Sequence, residues 1–238
     1  MESAADPASG IRFPQAKAAL GLLLLINLFN YVDRQVLSAV IGPIKKTFFQ
    51  DGEVLATGGG FLNAVIQWFQ TRLGFKPEDA LLGLLGTAFM LTYMLGAPVF
   101  ARLAEKRSRW RLVALGVVLW SLASGASGLA QTFVLLLLTR CCVGIGEAAY
   151  GPVAPAMIAD MFPIRIRGKV MAWFYVAIPV GSALGYVLGG LVANSDIGDW
   201  GGGWLGIGRE SWRWAFYLVT LPGIALGALS LLMREPDR

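Results

Sequence analysis

Apolar residues run for about the width of a bilayer six times in this chain. The stretches are roughly Ala18–Ile41, Leu81–Ala101, Leu112–Ala130, Phe133–Ile158, Val170–Ala193 and Trp214–Leu232. Each is near the ~20 residues a helix needs to cross ~30 Å of hydrocarbon. Lipid offers no hydrogen bonds to the backbone, so such a segment must satisfy its own amides, and a continuous apolar run does so as a helix. The expected fold is all-α and integral to the membrane, with six transmembrane helices. Composition agrees: 56% of the 238 residues are hydrophobic, and the 30 glycines suit closely packed membrane helices. There is no histidine, which removes histidine-based catalysis, proton relay and metal binding. Cys141 and Cys142 are adjacent on one helix. They offer neither a disulfide framework nor a zinc site, and are expected to be packing residues. No cofactor and no metal is expected.

The connections set the orientation. Arg102, Lys106, Arg107, Arg109 and Arg111 lie between spans two and three, and Arg165, Arg167 and Lys169 between four and five. Arg12 and Lys17 precede span one, and Arg234 and Arg238 follow span six. With six spans all of these fall on one side, whereas the turn at Gln131-Thr132 has no charge. Basic loops mark the cytoplasmic side, so both termini are expected there, in a multi-pass protein of the cell (inner) membrane. The same asymmetry accounts for the net charge of +5 without a nucleic-acid partner. Residues 1–17 form a polar cytoplasmic tail with no signal-peptide pattern, and residues 18–233 the transmembrane domain. Within the long outer loop 42–80, Phe61, Leu62, Val65, Trp68, Phe69 and Leu73 recur at helical spacing. An amphipathic helix over 61–73 is expected, lying on the membrane surface or capping the bundle, with Gly58-Gly59-Gly60 as a flexible lead-in. Trp212 and Trp214 suit an interfacial aromatic belt.

Charges inside the spans carry the functional argument. A charge at the bilayer centre costs at least about 2.5–3.5 kcal/mol, so it faces a cavity or a partner. Span one holds Asn27, Asn30, Asp33 and Arg34; span four holds Arg140 and Glu147; the middles of the other spans hold no charge. Arg140 and Glu147 are two turns apart on one helix face, where Gly144, Ala148 and Gly151 let a neighbour come close. Pro152 and Pro155 are expected to bend that helix. Rise per residue puts Asp33, Arg34 and Arg140 at similar depth with Glu147 nearer the midplane. We expect one four-charge cluster, Asp33 facing Arg140 or Arg34 and Glu147 reachable from the same cavity. Two acids and two bases sum to zero, which limits the burial cost, and such carboxylates suit proton exchange. The competing reading is an inert charge pair that fixes helix register. Asn30, Tyr31, Tyr150 and Tyr175 are cavity-lining candidates, against the alternative that a buried aromatic is core packing. Spans one and four are equivalent positions if the six helices form two inverted three-helix repeats.

Several strings are familiar: Asn30-Tyr31-Val32-Asp33-Arg34, Leu81 to Phe89, Arg140 to Asp160, Phe174 to Tyr186, Trp212 to Tyr217 and Arg234-Glu235-Pro236. The chain resembles the N-terminal half of a major facilitator superfamily transporter, and within it the Spinster-like branch. The resemblance implies a secondary, proton-coupled carrier with alternating access. It assigns proton coupling to Asp33 and Glu147, and substrate binding and charge pairing to Arg34 and Arg140. It assigns a conformational loop to Glu105, Arg109, Asp160 and Arg167. It further implies a small amphipathic organic anion or lysolipid-like substrate, protons and the lipid bilayer as partners, a second, C-terminal six-helix half, and residues 234–238 as the start of a central cytoplasmic loop. In the loop between spans two and three an alanine, Ala101, stands for the superfamily's glycine, and Glu105 for its Asp. The alternative function is a truncated, non-transporting membrane protein that assembles with or regulates a partner half. An enzyme is not expected, since no activated nucleophile or metal box is present.

Overall fold

The computed structural model describes residues 15–50, 53–54, 64, 68, 71–72, 74, 77–197 and 210–235. In chain order the elements are α1 Ala16–Ala39, α2 Ile41–Phe48, a two-residue antiparallel ladder of β1 Phe49–Gln50 with β2 Glu53–Val54, α3 Pro77–Lys106, α4 Arg109–Gly128, α5 Phe133–Ala148, α6 Val153–Met161, α7 Ile164–Ala193 and α8 Trp212–Ser230. Among the described residues, five segments are long and apolar enough to cross a membrane: α1, α3, α4, α5 with α6, and α7. The sixth expected span is α8, 19 residues long with Arg213 in its first turn. Side-chain caps set two boundaries. Ser108 accepts from the Arg111 amide at the start of α4, and Thr132 accepts from the Leu135 amide at the start of α5.

Helix packing has a two-fold pattern. The main pairings are α1 with α7, α4 with α8, α3 with α5, α4 with α5, and α1 with α8. Exchanging α1 for α5, α3 for α7 and α4 for α8 maps every one of these pairings onto another or onto itself. That is the arrangement expected of two inverted three-helix repeats. Small residues permit the approach. A Cβ on Gly185 would sit 2.5 Å from Val32 O, and one on Gly181 would sit 2.6 Å from Leu28 O, both on α1. Backbone cannot yield as a side-chain tip can. Gly185→Leu is therefore expected to destabilise the bundle by about 1–3 kcal/mol, read as a lower melting temperature in detergent. Gly190→Leu, whose Cβ would meet nothing within 4 Å, serves as control.

Span four breaks where its prolines predicted. α5 ends at Ala148, the amides of Tyr150 and Gly151 both return to Glu147 O at 3.0 and 2.9 Å, and α6 restarts after Pro152. Pro155 fits in the first turn of α6, where the missing donor is not needed.

Other expectations are corrected. The outer segment read as loop from Gly42 begins instead with α2, because Ile44 and Phe48, one turn apart, bury against the end of the bundle. Lys45 fastens α2 to the first turn of α3, 2.6 Å from Asp79 and 3.1 Å from Glu78. Its hydrogen bonds to Asp79 and then Glu78 hold the amine protonated above the ordinary lysine range. Trp212 does not join an interfacial belt. It is buried against Phe48 and Phe216, and its indole N–H donates to Thr47 Oγ1 at 3.0 Å. Arg165, Arg167 and Lys169 lie in the first turns of α7 rather than in a connection, and Arg109 and Arg111 in the first turn of α4. Cys142 is exposed on the outside of α5 and so packs little within the bundle, while Cys141 is half-buried. The glycine run 58–60 and most of the amphipathic helix expected over 61–73 lie outside the described residues.

Candidate functional site

The site lies where α1, α3, α4 and α5 meet. Asn30, Asp33, Arg140 and Glu147 are all buried, Arg140 at 2% and Glu147 at 1% exposure. α3 packs closely on α5 beside these residues because Gly144 of α5 faces the backbone of Phe89 on α3 without a side chain, and Gly151 does the same for the Tyr93 ring. The expectation of close approach at Gly144 and Gly151 thus holds.

The charges pair differently from the expected arrangement. Arg34 reaches Glu147 in a two-nitrogen ion pair, its Nε donating to Oε2 at 2.6 Å and its Nη2 contacting the same oxygen. Asp33 makes no direct ion pair among the described residues. Ser124 Oγ on α4 donates to Asp33 Oδ1, and Asp33 feels Arg140 and Arg34 at longer range. Arg140 Nη2 donates to Ser127 Oγ, one turn along α4 from Ser124. The reason is rotation about α1. Asp33 and Arg34 are consecutive and so point about 100° apart: Asp33 turns to α4, and Arg34 turns to α3 and α5.

Arg34 borders a cavity of about 330 Å³ lined by Tyr31, Arg34, Gln35, Ser38, Phe89 and Arg140 among others. Three rings surround its guanidinium, Phe89 at 4.9 Å, Tyr31 at 5.2 Å and Tyr93 at 5.5 Å between Cζ and ring centroid. Arg140 lies over Phe216 at 5.2 Å. Such faces stabilise a cation that has left water. The two carboxylates sit behind the arginines and do not line the cavity. Each keeps a buried oxygen without a hydrogen-bond partner, Asp33 Oδ2 and Glu147 Oε1.

The remaining candidates divide. Asn30 is buried beside Glu147, its Nδ2 without a partner. Tyr31 lines the cavity. Tyr150 does not: it is buried between Trp120 and Phe174, and its hydroxyl donates to Leu23 O at 2.7 Å. Tyr175 is 49% exposed on α7 and packs on Phe174 outside the cavity. At the arginine-rich end of the bundle Arg109 pairs with Asp160, and Arg167 donates to Ala159 O at 2.5 Å. Glu105 lies in the last turns of α3 at that end.

The charge pattern did not single out Ser124, Ser127, Tyr93 and Glu235. Ser121, Ser124 and Ser127 share one face at three-residue spacing, a polar stripe in a charge-free span that was open to reading. Glu235 accepts from Ser108 Oγ at 2.7 Å and from the Arg109 amide at 2.9 Å, placing a carboxylate on the N-terminus of α4. Nothing local in the sequence marks that contact.

The sequence model of the Major Facilitator Superfamily matches residues 23–238. The chain belongs to the Major Facilitator Superfamily. It is 32% identical over 217 residues to Protein spinster of Drosophila melanogaster, covering 91% of this chain and 29% of that protein. It is 34% identical over 235 residues to Protein spinster homolog 1 of Homo sapiens, covering 97% and 37%. The chain thus spans about a third of the length of these curated relatives. Among solved structures, a bacterial homolog of the human lysosomal transporter Spinster, inward-facing and unoccupied, superposes with a TM-score of 0.75 at 32% identity, over 94% of this chain and 44% of that one. The xylose transporter XylE from E. coli, at 18% identity and TM-score 0.70, shares the fold. As a superfamily member with the N-terminal half of the transporter fold, the chain is a multi-pass membrane protein. Its Spinster-like character rests on both sequence and structural relatives.

Proposed function

We propose that this chain is a proton-coupled secondary transporter, or the N-terminal half of one, for an amphipathic organic anion of the lysolipid kind, working by alternating access against a second six-helix half. The observation that carries this reading is the cavity itself. Two arginines line it, and one of them, Arg34, is held by a buried carboxylate, Glu147. An anion entering the cavity competes with Glu147 for the Arg34 guanidinium. Once released, Glu147 is a buried carboxylate without a counter-charge, and it takes a proton. Proton uptake and anion binding thereby become linked, and Asp33, beside Arg140 and Ser124, is the second proton site.

The shape of α1 supports an amphiphile. Tyr31, Gln35 and Ser38 line the cavity, and the same face continues through Leu28, Leu24 and Gly21 into an apolar groove of about 280 Å³ against Trp173, Val176, Ala177 and Val180 of α7. From Arg34 to Gly21 is about 20 Å along the helix, the reach of a long alkyl chain with its anionic head at the arginines. The arginine-rich end faces the cytoplasm of the cell membrane in this reading, by the distribution of basic residues. There the Arg109–Asp160 pair, Arg167 and Glu105 form the conformational loop.

The test is flux of a fluorescent long-chain lysophospholipid into proteoliposomes under a pH gradient, for the chain alone and with a C-terminal half. Gradient-driven flux that is lost in both Asp33→Asn and Glu147→Gln, by tenfold or more, is expected. Gradient-driven flux unchanged in both variants would remove the proton role of these carboxylates.

A further inference from the structure

The third span carries no charge in its middle, yet two of its side chains hold the charges of its neighbours. Ser124 Oγ donates to Asp33 Oδ1, and Ser127 Oγ accepts from Arg140 Nη2. A serine hydroxyl has one hydrogen to give. Ser124 spends it on the carboxylate. Ser127, with the guanidinium on its oxygen, turns its own hydrogen away, to Thr139 Oγ1 at 2.8 Å or Ala123 O at 3.0 Å. Both serines are buried, at 0% exposure, so water does not substitute for them. Asp33 and Arg140 are close enough to interact electrostatically and yet form no direct ion pair. Each keeps an unsatisfied atom, Asp33 Oδ2 and Arg140 Nε. An acid and a base left unpaired in a dry site are an arrangement that collapses unless each is held by something else. Here both are held by one rigid helix.

We propose that Ser124 and Ser127 are positioning residues that keep Asp33 and Arg140 from closing into an ion pair, so that Asp33 Oδ2 stays available to a proton. The proposal rests on the reading of Asp33 as a proton site. The groups facing Asp33 are Ser124 from α4, Arg140 and Glu147 from α5, and Arg34 on its own helix. Arg140 is backed by Phe216 of α8, an uncharged ring. The two serines act in opposite senses. Removing the Ser124 donor withdraws stabilisation from the ionised carboxylate, and Asp33 then holds its proton to higher pH. Removing the Ser127 acceptor frees the Arg140 guanidinium to reach the carboxylate, and Asp33 then gives up its proton at lower pH.

The experiment is an infrared titration of the protonated-carboxyl band in the full chain reconstituted in lipid, with the Asp33 component assigned by its loss in Asp33→Asn. Ser124→Ala is expected to move the Asp33 midpoint up by about one pH unit, a tenfold change in proton affinity, and Ser127→Ala to move it down by a similar amount. Ser124→Thr and Ser127→Thr, which keep the hydroxyl, are expected to restore the wild-type midpoint. A purely structural role for the serines predicts shifts of one sign or none, and either result overturns the proposal. So does the absence of any titrating band that Asp33→Asn removes. The readout needs no substrate. Failure of transport with opposite shifts intact would leave the positioning role standing, whereas transport with no shift would remove the positioning role alone.

Discussion

Arg34→Leu is expected to destabilise the bundle by about 3–5 kcal/mol near neutral pH, the cost of leaving one member of a buried pair without its partner. The loss is expected to be unequal between the two partners. Glu147 is 1% exposed with nowhere to turn, while Arg34 retains 22% exposure at the cavity and three aromatic faces around it. Glu147→Leu therefore leaves a guanidinium that reaches the cavity and its rings, and it is expected to cost less than Arg34→Leu. The sign with pH follows from the group left behind. In Arg34→Leu the lone carboxylate is relieved by taking a proton, so acidification restores stability. In Glu147→Leu no such relief exists. The double variant, apolar on both sides, is expected to lie between wild type and the milder single variant. Thermal unfolding in detergent across a pH series measures all three. Equal losses in the single variants, or no recovery of Arg34→Leu in acid, would contradict the assigned pairing.

Trp212→Ala is expected to cost about 3–5 kcal/mol, as for an aromatic removed from a packed interior, and Trp214→Ala well under half of that. Trp212 is 1% exposed and ties α2 to α8. It packs on Phe48 of α2 and Phe216 of its own helix, and its N–H satisfies Thr47. Phe48 in turn packs on Phe133 at the start of α5. Truncation leaves a cavity under α2 and removes the donor to Thr47 Oγ1, whose own hydrogen still goes to Pro43 O. Trp214 makes one edge-on contact, with Tyr217, from a half-buried position. The check is the melting temperature of each variant, with protease accessibility of α2 as the local readout. Similar small effects for both tryptophans would return Trp212 to the interfacial belt that its sequence position suggested.

Much of the architecture is legible without coordinates, because the signals that set it are local. Long apolar runs bounded by Arg107-Ser108, Gln131-Thr132 and Phe162-Pro163 mark helices, and Pro152 marks the break in span four. Confining charge to spans one and four points to the site and to the three-helix repeat. The four charges gather as their spacing and depth require. The ambiguity at the outer end is local as well. Ile44 and Phe48 repeat over only eight residues, too short a pattern to separate a folded-back helix from a loop. A tryptophan at the mouth of a span looks the same whether lipid headgroups or α2 cover it.

Read as a sequence alone, the chain is already a bundle of membrane-spanning helices with Asp33, Arg34, Arg140 and Glu147 at neighbouring depths. Those properties follow from hydropathy summed over each run and from a fixed rise per residue. Which residue holds which is settled by how the helices pack against one another. Arg34 takes Glu147, Asp33 goes to Ser124, Arg140 goes to Ser127, and Tyr150 turns into the core. Each of these depends on the rotation of one helix against another, and a single residue step changes it by about 100°. That rotation is set by the glycines through which the backbones touch, Gly144 of α5 against α3 and Gly181 and Gly185 of α7 against α1, and those contacts join residues far apart in the chain.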